Sequence, residues 1–247
     1  MSTDNNDFDG QRRAFLQVAG AVTVVAPGVT LIAAQASARP AGEPASAANR
    51  WGMLIDSTKC SPDCKACVTA CKQEMGLVGH DRPRTDAQYI RKLEVSDPST
   101  GMRHSLPVMC QHCAKPACVD VCPTGASMKR ADGIVLVDRH ICIGCRYCMM
   151  ACPYKARSFT HEDQTDQKPY LPRGKGTVEA CTMCVHRIDA GRQPACVEAC
   201  QSSGGGAMLF GDLSDPSSEI AKRVSTETTT RIRGELGLDP GVRYQGI

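Results

Sequence analysis

The stretch "CIGCRYCMMACP" at residues 142–153 spaces Cys142, Cys145, Cys148 and Cys152 as C-x2-C-x2-C-x3-C and closes with Pro153. A tight loop of that spacing presents three thiolates to three irons of a cubane cluster. The fourth cysteine departs on a helical turn and, in two-cluster ferredoxins, ligates the other cluster. Working outward, three more quartets appear. Upstream lie Cys60-x3-Cys64-x2-Cys67-x3-Cys71 and Cys110-x2-Cys113-x4-Cys118-x3-Cys122, the latter followed by Pro123. Downstream lies Cys181-x2-Cys184-x11-Cys196-x3-Cys200. The quartets use all sixteen cysteines, so the chain is an internal repeat of ligand sets.

Disulfides and zinc compete with this reading. Disulfides are the default outside the cytoplasm, above all in short domains that oxidise after export. Zinc uses paired C-x2-C knuckles, two per tetrahedral site. Neither calls for C-x2-C-x2-C-x3-C-P, whereas iron–sulfur does, and the expectation is four [4Fe–4S] clusters. Gly144 lets the backbone approach inorganic sulfide with its N–H groups. Pro123 and Pro153 fix the backbone after the fourth cysteine; Lys72 and Gln201 stand there in the outer quartets, whose loops are expected to turn differently.

Composition agrees with a scaffold held by metal. Of 247 residues only 4% are aromatic, too few for an ordinary core. The formal charge of +3 is spread without a Lys/Arg block, which argues against nucleic acid as partner. Residues 1–38 read as a cleavable export signal: Arg12-Arg13 precedes "AFL", an apolar run follows, and "ASA" at 36–38 offers a small-x-small cleavage site. An uncleaved anchor is the competing reading, opposed by Pro27-Gly28 in mid-run. The paired arginines resemble the twin-arginine signal, whose machinery carries folded proteins, so clusters could be loaded in a reducing compartment first.

A linker (39–49) precedes the cluster-bearing domain (50–213), and residues 214–247 form a C-terminal helix and polar tail. Hairpins are expected at 89–95 with 102–108 and around "ADG" (131–133), and a strand at 207–210. Asp215-Pro216 is expected to cap a helix starting near Ser217. The fold class is therefore α+β, loop-rich, with short hairpins and helices.

The four quartets, with "CVHRIDAGRQPACVEAC" in the fourth, resemble the iron–sulfur subunits that serve molybdopterin oxidoreductases and polysulfide-reductase-type membrane complexes. "HICIGCRYCMMACPYKARSF", "LFGDLSDPSSEI" and the ending "GLDPGVRYQGI" resemble more narrowly the periplasmic iron–sulfur subunits of DsrMKJOP-type complexes of dissimilatory sulfur metabolism. The resemblance implies two pseudo-symmetric bacterial-ferredoxin-like modules, the first quartet paired with the fourth and the second with the third. It implies four ligand sets: Cys60, Cys64, Cys67 and Cys200; Cys181, Cys184, Cys196 and Cys71; Cys110, Cys113, Cys118 and Cys152; and Cys142, Cys145, Cys148 and Cys122. The longer Cys60-x3-Cys64 gap and "CQSSGGGAM" depart from the pattern, both in the first pair of quartets.

The implied role is an electron-transfer subunit with no substrate site of its own, peripheral on the periplasmic face of a quinone-interacting integral-membrane subunit. A periplasmic multihaem cytochrome c is the implied second partner. A subunit of a periplasmic molybdopterin oxidoreductase is the alternative, and a zinc- or disulfide-stapled binding protein the reading from another class. Arg146, Lys155, Arg157 and Arg187 could raise cluster potentials or dock an acidic partner, though each is also readable as a solvated side chain. Among the scattered histidines, His112 alone sits inside a cluster loop, where a structural role competes with donation to sulfur.

Overall fold

A computed structural model describes residues 38–40, 42–165 and 167–247, and upstream only the two-residue strands Val25–Ala26 and Val29–Thr30. The export signal expected over 1–38 lies otherwise outside the described residues.

The apolar run "WGMLID" forms strand β1 (Trp51–Asp56), the middle of a three-stranded sheet. Met53, Leu54 and Ile55 are almost wholly buried, as a strand covered on both faces requires. One neighbour is the expected strand at 207–210, observed as Met208–Asp212 and antiparallel to β1. The other is the C-terminal strand Val242–Gln245, parallel to β1, with Val242 opposite Met53. Gly52 permits this packing: a Cβ there would collide with the Leu213 side chain and lie 2.6 Å from the Gly241 carbonyl oxygen.

The tail thus differs from the polar segment expected of it. Val242 and Tyr244 have no exposed surface, and the Tyr244 hydroxyl donates to the Pro107 carbonyl at 3.0 Å. A four-residue strand whose partner lies at the other end of the domain carries little local signal. The preceding helix, Glu219–Thr226, starts two residues later than expected. Ser218 is its cap, accepting from the Ala221 N–H at 3.2 Å, while Asp215 closes a turn onto the Ser217 N–H.

Three antiparallel strand pairs accompany the sheet. Strand β2 (Ile90–Ser96) pairs with β3 (Arg103–Met109), and β4 (Ser127–Lys129) with β5 (Val135–Val137), hairpins both where expected. The third, strand β6 (Arg157–Phe159) with β7 (Val178–Ala180), joins the segment after the third quartet to the one before the fourth. The linker is fastened to the body: the Arg39 backbone N–H and guanidinium both donate to Asp189, each at 2.9 Å. Among the described residues no helix is long and apolar enough to cross a membrane.

Candidate metal centres

Four short helices position the cysteines: α1 (Ala66–Met75), α2 (Ala117–Asp120), α3 (Tyr147–Ala151) and α4 (Ala195–Ser203). Cys67 and Cys71 stand one turn apart on α1, as do Cys196 and Cys200 on α4, so each pair shares a helix face. Helix α1 packs on α4 and α2 on α3. The first quartet therefore meets the fourth, and the second meets the third. The proline difference is visible in helix length. Helices α2 and α3 stop before Cys122 and Cys152, which precede Pro123 and Pro153. With Lys72 and Gln201 after the fourth cysteine, α1 and α4 run on to Met75 and Ser203.

Neighbouring thiols identify themselves through their mutual electrostatics. Burial, then Cys200, Cys60 and Cys64, pushes the Cys67 thiol up to about 11. Cys71, on the same helix, is raised by burial and then by Cys181, Cys196 and Cys184. Burial followed by Cys118 and Cys152 takes Cys113 up to about 11. Cys148 is raised by burial and by Cys142 and Cys122, while Arg157 opposes the rise. In each case the fourth cysteine of a quartet faces thiols of the partner quartet.

The most exposed group lines a small pocket bounded by Cys122, Cys142, Cys145 and Cys148, with Ile143, Val137 and Val178 beside them. Backbone N–H groups already point at its sulfurs, Ser127 to Cys122 at 3.3 Å and Val178 to Cys142 at 3.4 Å. Gly144 has φ +69°, and a Cβ there would collide with the Gly176 carbonyl oxygen. Gly144→Ala is therefore expected to deform this loop and lose about four iron atoms per chain, one cubane. Iron analysis of the purified variant checks it, and a full complement would contradict it.

None of the sixteen cysteines forms a disulfide. Among the described residues no three His, Cys, Asp or Glu side chains converge closely enough to hold one metal ion. Buried donors without a protein acceptor point to cluster sulfur: Ser105 Oγ beside Cys60, Tyr154 OH beside Cys113, Thr182 Oγ1 within the Cys181-x2-Cys184 loop, and His112 Nε2. Orphaned buried donors are costly unless something accepts from them, and cluster sulfur would.

His112 takes the structural role considered for it. It is 1% exposed, and burial with Arg50 and Arg157 nearby holds it neutral, its pKa pushed down to about 3. Nδ1 accepts from the Val135 N–H at 3.0 Å, a structural bond that leaves the proton on Nε2. Of the four basic residues singled out, Arg146 and Lys155 are exposed, the former 3.8 Å above the Phe159 ring. Arg157 and Arg187 are buried; Arg187 pairs with Glu74 and Glu198.

Other residues at the centres carried no sequence signal. Lys92, from the first hairpin, donates to the Cys64 carbonyl at 2.6 Å and the Pro62 carbonyl at 2.8 Å, tying down the longer first loop. Ser105 belongs to no motif and reaches the thiols only through the fold, and Tyr154, two residues after Cys152, carries no ligand signal of its own.

Residues 102–213 match the family of 4Fe–4S dicluster domains. The chain is 39% identical to the Hdr-like menaquinol oxidoreductase iron–sulfur subunit 1 of Archaeoglobus fulgidus, across 94% of this chain and 97% of that protein. It is also 39% identical to one of the subunits of tetrathionate reductase from Salmonella typhimurium, across 98% of this chain and 90% of that one. The menaquinone reductase iron–sulfur cluster-binding subunit of Nitratidesulfovibrio vulgaris is 34% identical over 79% of this chain and 88% of its own length. With sixteen cysteines in ferredoxin-like motifs and relatives matched along nearly their whole length, the chain belongs to the iron–sulfur electron-transfer subunits of oxidoreductase complexes, and it holds four [4Fe–4S] clusters.

Proposed function

We propose that this chain is the periplasmic iron–sulfur subunit, of the DsrO type, of a quinone-linked membrane complex of dissimilatory sulfur metabolism. The observation that carries this reading is the near-full-length likeness to a menaquinol oxidoreductase iron–sulfur subunit. The Arg12-Arg13 signal supports export in the folded state, and the sulfur-specific C-terminal resemblance supports the narrower assignment. A second reading, the electron-transfer subunit of a periplasmic molybdopterin oxidoreductase, draws on the equal identity to the tetrathionate reductase relative.

The proposed ligand sets are Cys60, Cys64, Cys67 and Cys200; Cys71, Cys181, Cys184 and Cys196; Cys110, Cys113, Cys118 and Cys152; and Cys122, Cys142, Cys145 and Cys148, in two ferredoxin-like modules. Three neighbouring thiol pairs support a single file in that order: Cys67 with Cys71, Cys181 with Cys110, and Cys118 with Cys148. When bound, each cluster accepts and releases one electron at a time. The chain's own part is to hold the sulfurs rigidly, donate N–H groups to them and exclude water along the file. At the last set Cys145 reaches the surface, and Ile141, Ile143, Tyr147 and Met150 of the same loop and helix are exposed around it. An apolar rim beside an accessible cluster suits docking of a membrane subunit or a periplasmic multihaem cytochrome c.

Anaerobically purified protein is expected to be brown, to bleach with dithionite, and to contain about 16 iron and about 16 acid-labile sulfide per chain. A colourless, zinc-containing product would sink the reading. Co-purification with a haem-bearing partner favours the first assignment, and with a molybdenum-containing one the second.

A further inference from the structure

Buried arginines in this fold come with carboxylates, with one exception. Arg173 bonds Glu179 through two nitrogens, at 3.0 and 2.7 Å. Arg187 pairs with Glu74 and Glu198, and Arg243 lies 3.4 Å from Asp239. Arg157 is 6% exposed, yet among the described residues no carboxylate lies within ion-pair distance of it. One guanidinium nitrogen donates to Ser127 Oγ at 2.6 Å and the other to Cys118 Sγ at 3.0 Å. The anions facing it are Cys118, then Cys148 and Cys110. Ser127 in turn donates its N–H to Cys122 Sγ, so this one network touches ligands from both inner sets.

A guanidinium stays charged in any protein interior, and a buried charge without a counter-ion is strongly unfavourable. Its counter-ion here can only be sulfur. Position enforces the contact: Arg157 opens β6, whose register with β7 sets it opposite Ala180. Resting on the cluster reading above, we propose that Arg157 is the shared counter-cation of the Cys118 and Cys148 clusters, raising the reduction potentials of both and that of the Cys118 cluster more. Each one-electron reduction adds a negative charge to a cluster, and a fixed cation in a low-dielectric site stabilises that state. Arg187, already neutralised by two glutamates, exerts no equivalent pull on the Cys184 side. The two pairs of quartets are thus electrostatically unequal.

The test is an EPR-monitored potentiometric titration, with dithionite as reductant, of the holoprotein and of Arg157→Gln. Two of the four midpoint potentials are expected to move negative, one more than the other, while the two belonging to the first and fourth quartets stay put. Ser127→Ala, which frees one end of the guanidinium, should move the same two potentials by less. Unmoved potentials, positive movement, or an equal shift of all four would overturn the proposal. Should Arg157→Gln hold less iron than the wild type, Arg157→Met is scored instead by the same criterion. Arg157→Lys keeps the charge and one donor, so it should retain its iron and potentials near the wild type; a negative shift of the same pair as large as in the charge-removing variant would overturn the assignment. Wild-type protein without iron would defeat the cluster reading itself, whereas iron-replete protein with unmoved potentials defeats only the role of Arg157.

Discussion

Cys71→Ser is expected to abolish the cluster held by Cys181, Cys184 and Cys196, far away in sequence, and to leave intact the one held by its own quartet. Cys71 is 4% exposed, and the thiols that face it come chiefly from the fourth quartet. Cys67, one turn earlier on the same helix, faces Cys200, Cys60 and Cys64 instead. A serine hydroxyl is a far poorer partner for iron than a thiolate, and the buried site offers no water to replace it. Iron should fall from about 16 to about 12 per chain, with one EPR signal lost. Cys67→Ser should remove a different signal. Loss of the first-quartet signal alone in Cys71→Ser would mean that the ligand exchange is wrong.

Stripping the iron is expected to unfold the domain, not merely to inactivate it. The main core contains Cys67, Cys71, Cys110, Cys113, Cys152, Cys181, Cys184, Cys196 and Cys200, and Tyr89, Tyr154 and Tyr244 are its buried aromatics. The smaller core is built on Cys118, Val135, Cys148 and Val178. Domains of this size are stable by only about 5–15 kcal/mol. A structural metal in a small domain contributes on the order of 10–16 kcal/mol, so losing even one comparable site exceeds the margin. Iron-free protein should therefore lose near-UV circular dichroism and its cooperative thermal transition. A chelated, iron-free chain that still melts cooperatively would falsify the claim that the clusters hold the core together.

Much of this was legible because cluster ligation is local. The three-cysteine loops span a few residues, and their spacing alone names cofactor and count. Hairpins at 90–109 and 127–137 were readable for the same reason, since a turn and two alternating strands lie within one short window. The central strand at 51–56 and its partner at 242–245 were not, because a parallel pair joined across the whole domain leaves no mark in either segment.

The spacing of the cysteines by itself determined that this protein binds four cubanes, because thiolate geometry around iron tolerates few alternatives. Only the tertiary structure decided the order of the thiol groups, the buried guanidinium beside Cys118 and the single exposed cysteine at Cys145. Those depend on which helices pack together and which charges end up without water. Such contacts join residues whose separation along the chain bears no relation to their distance in space.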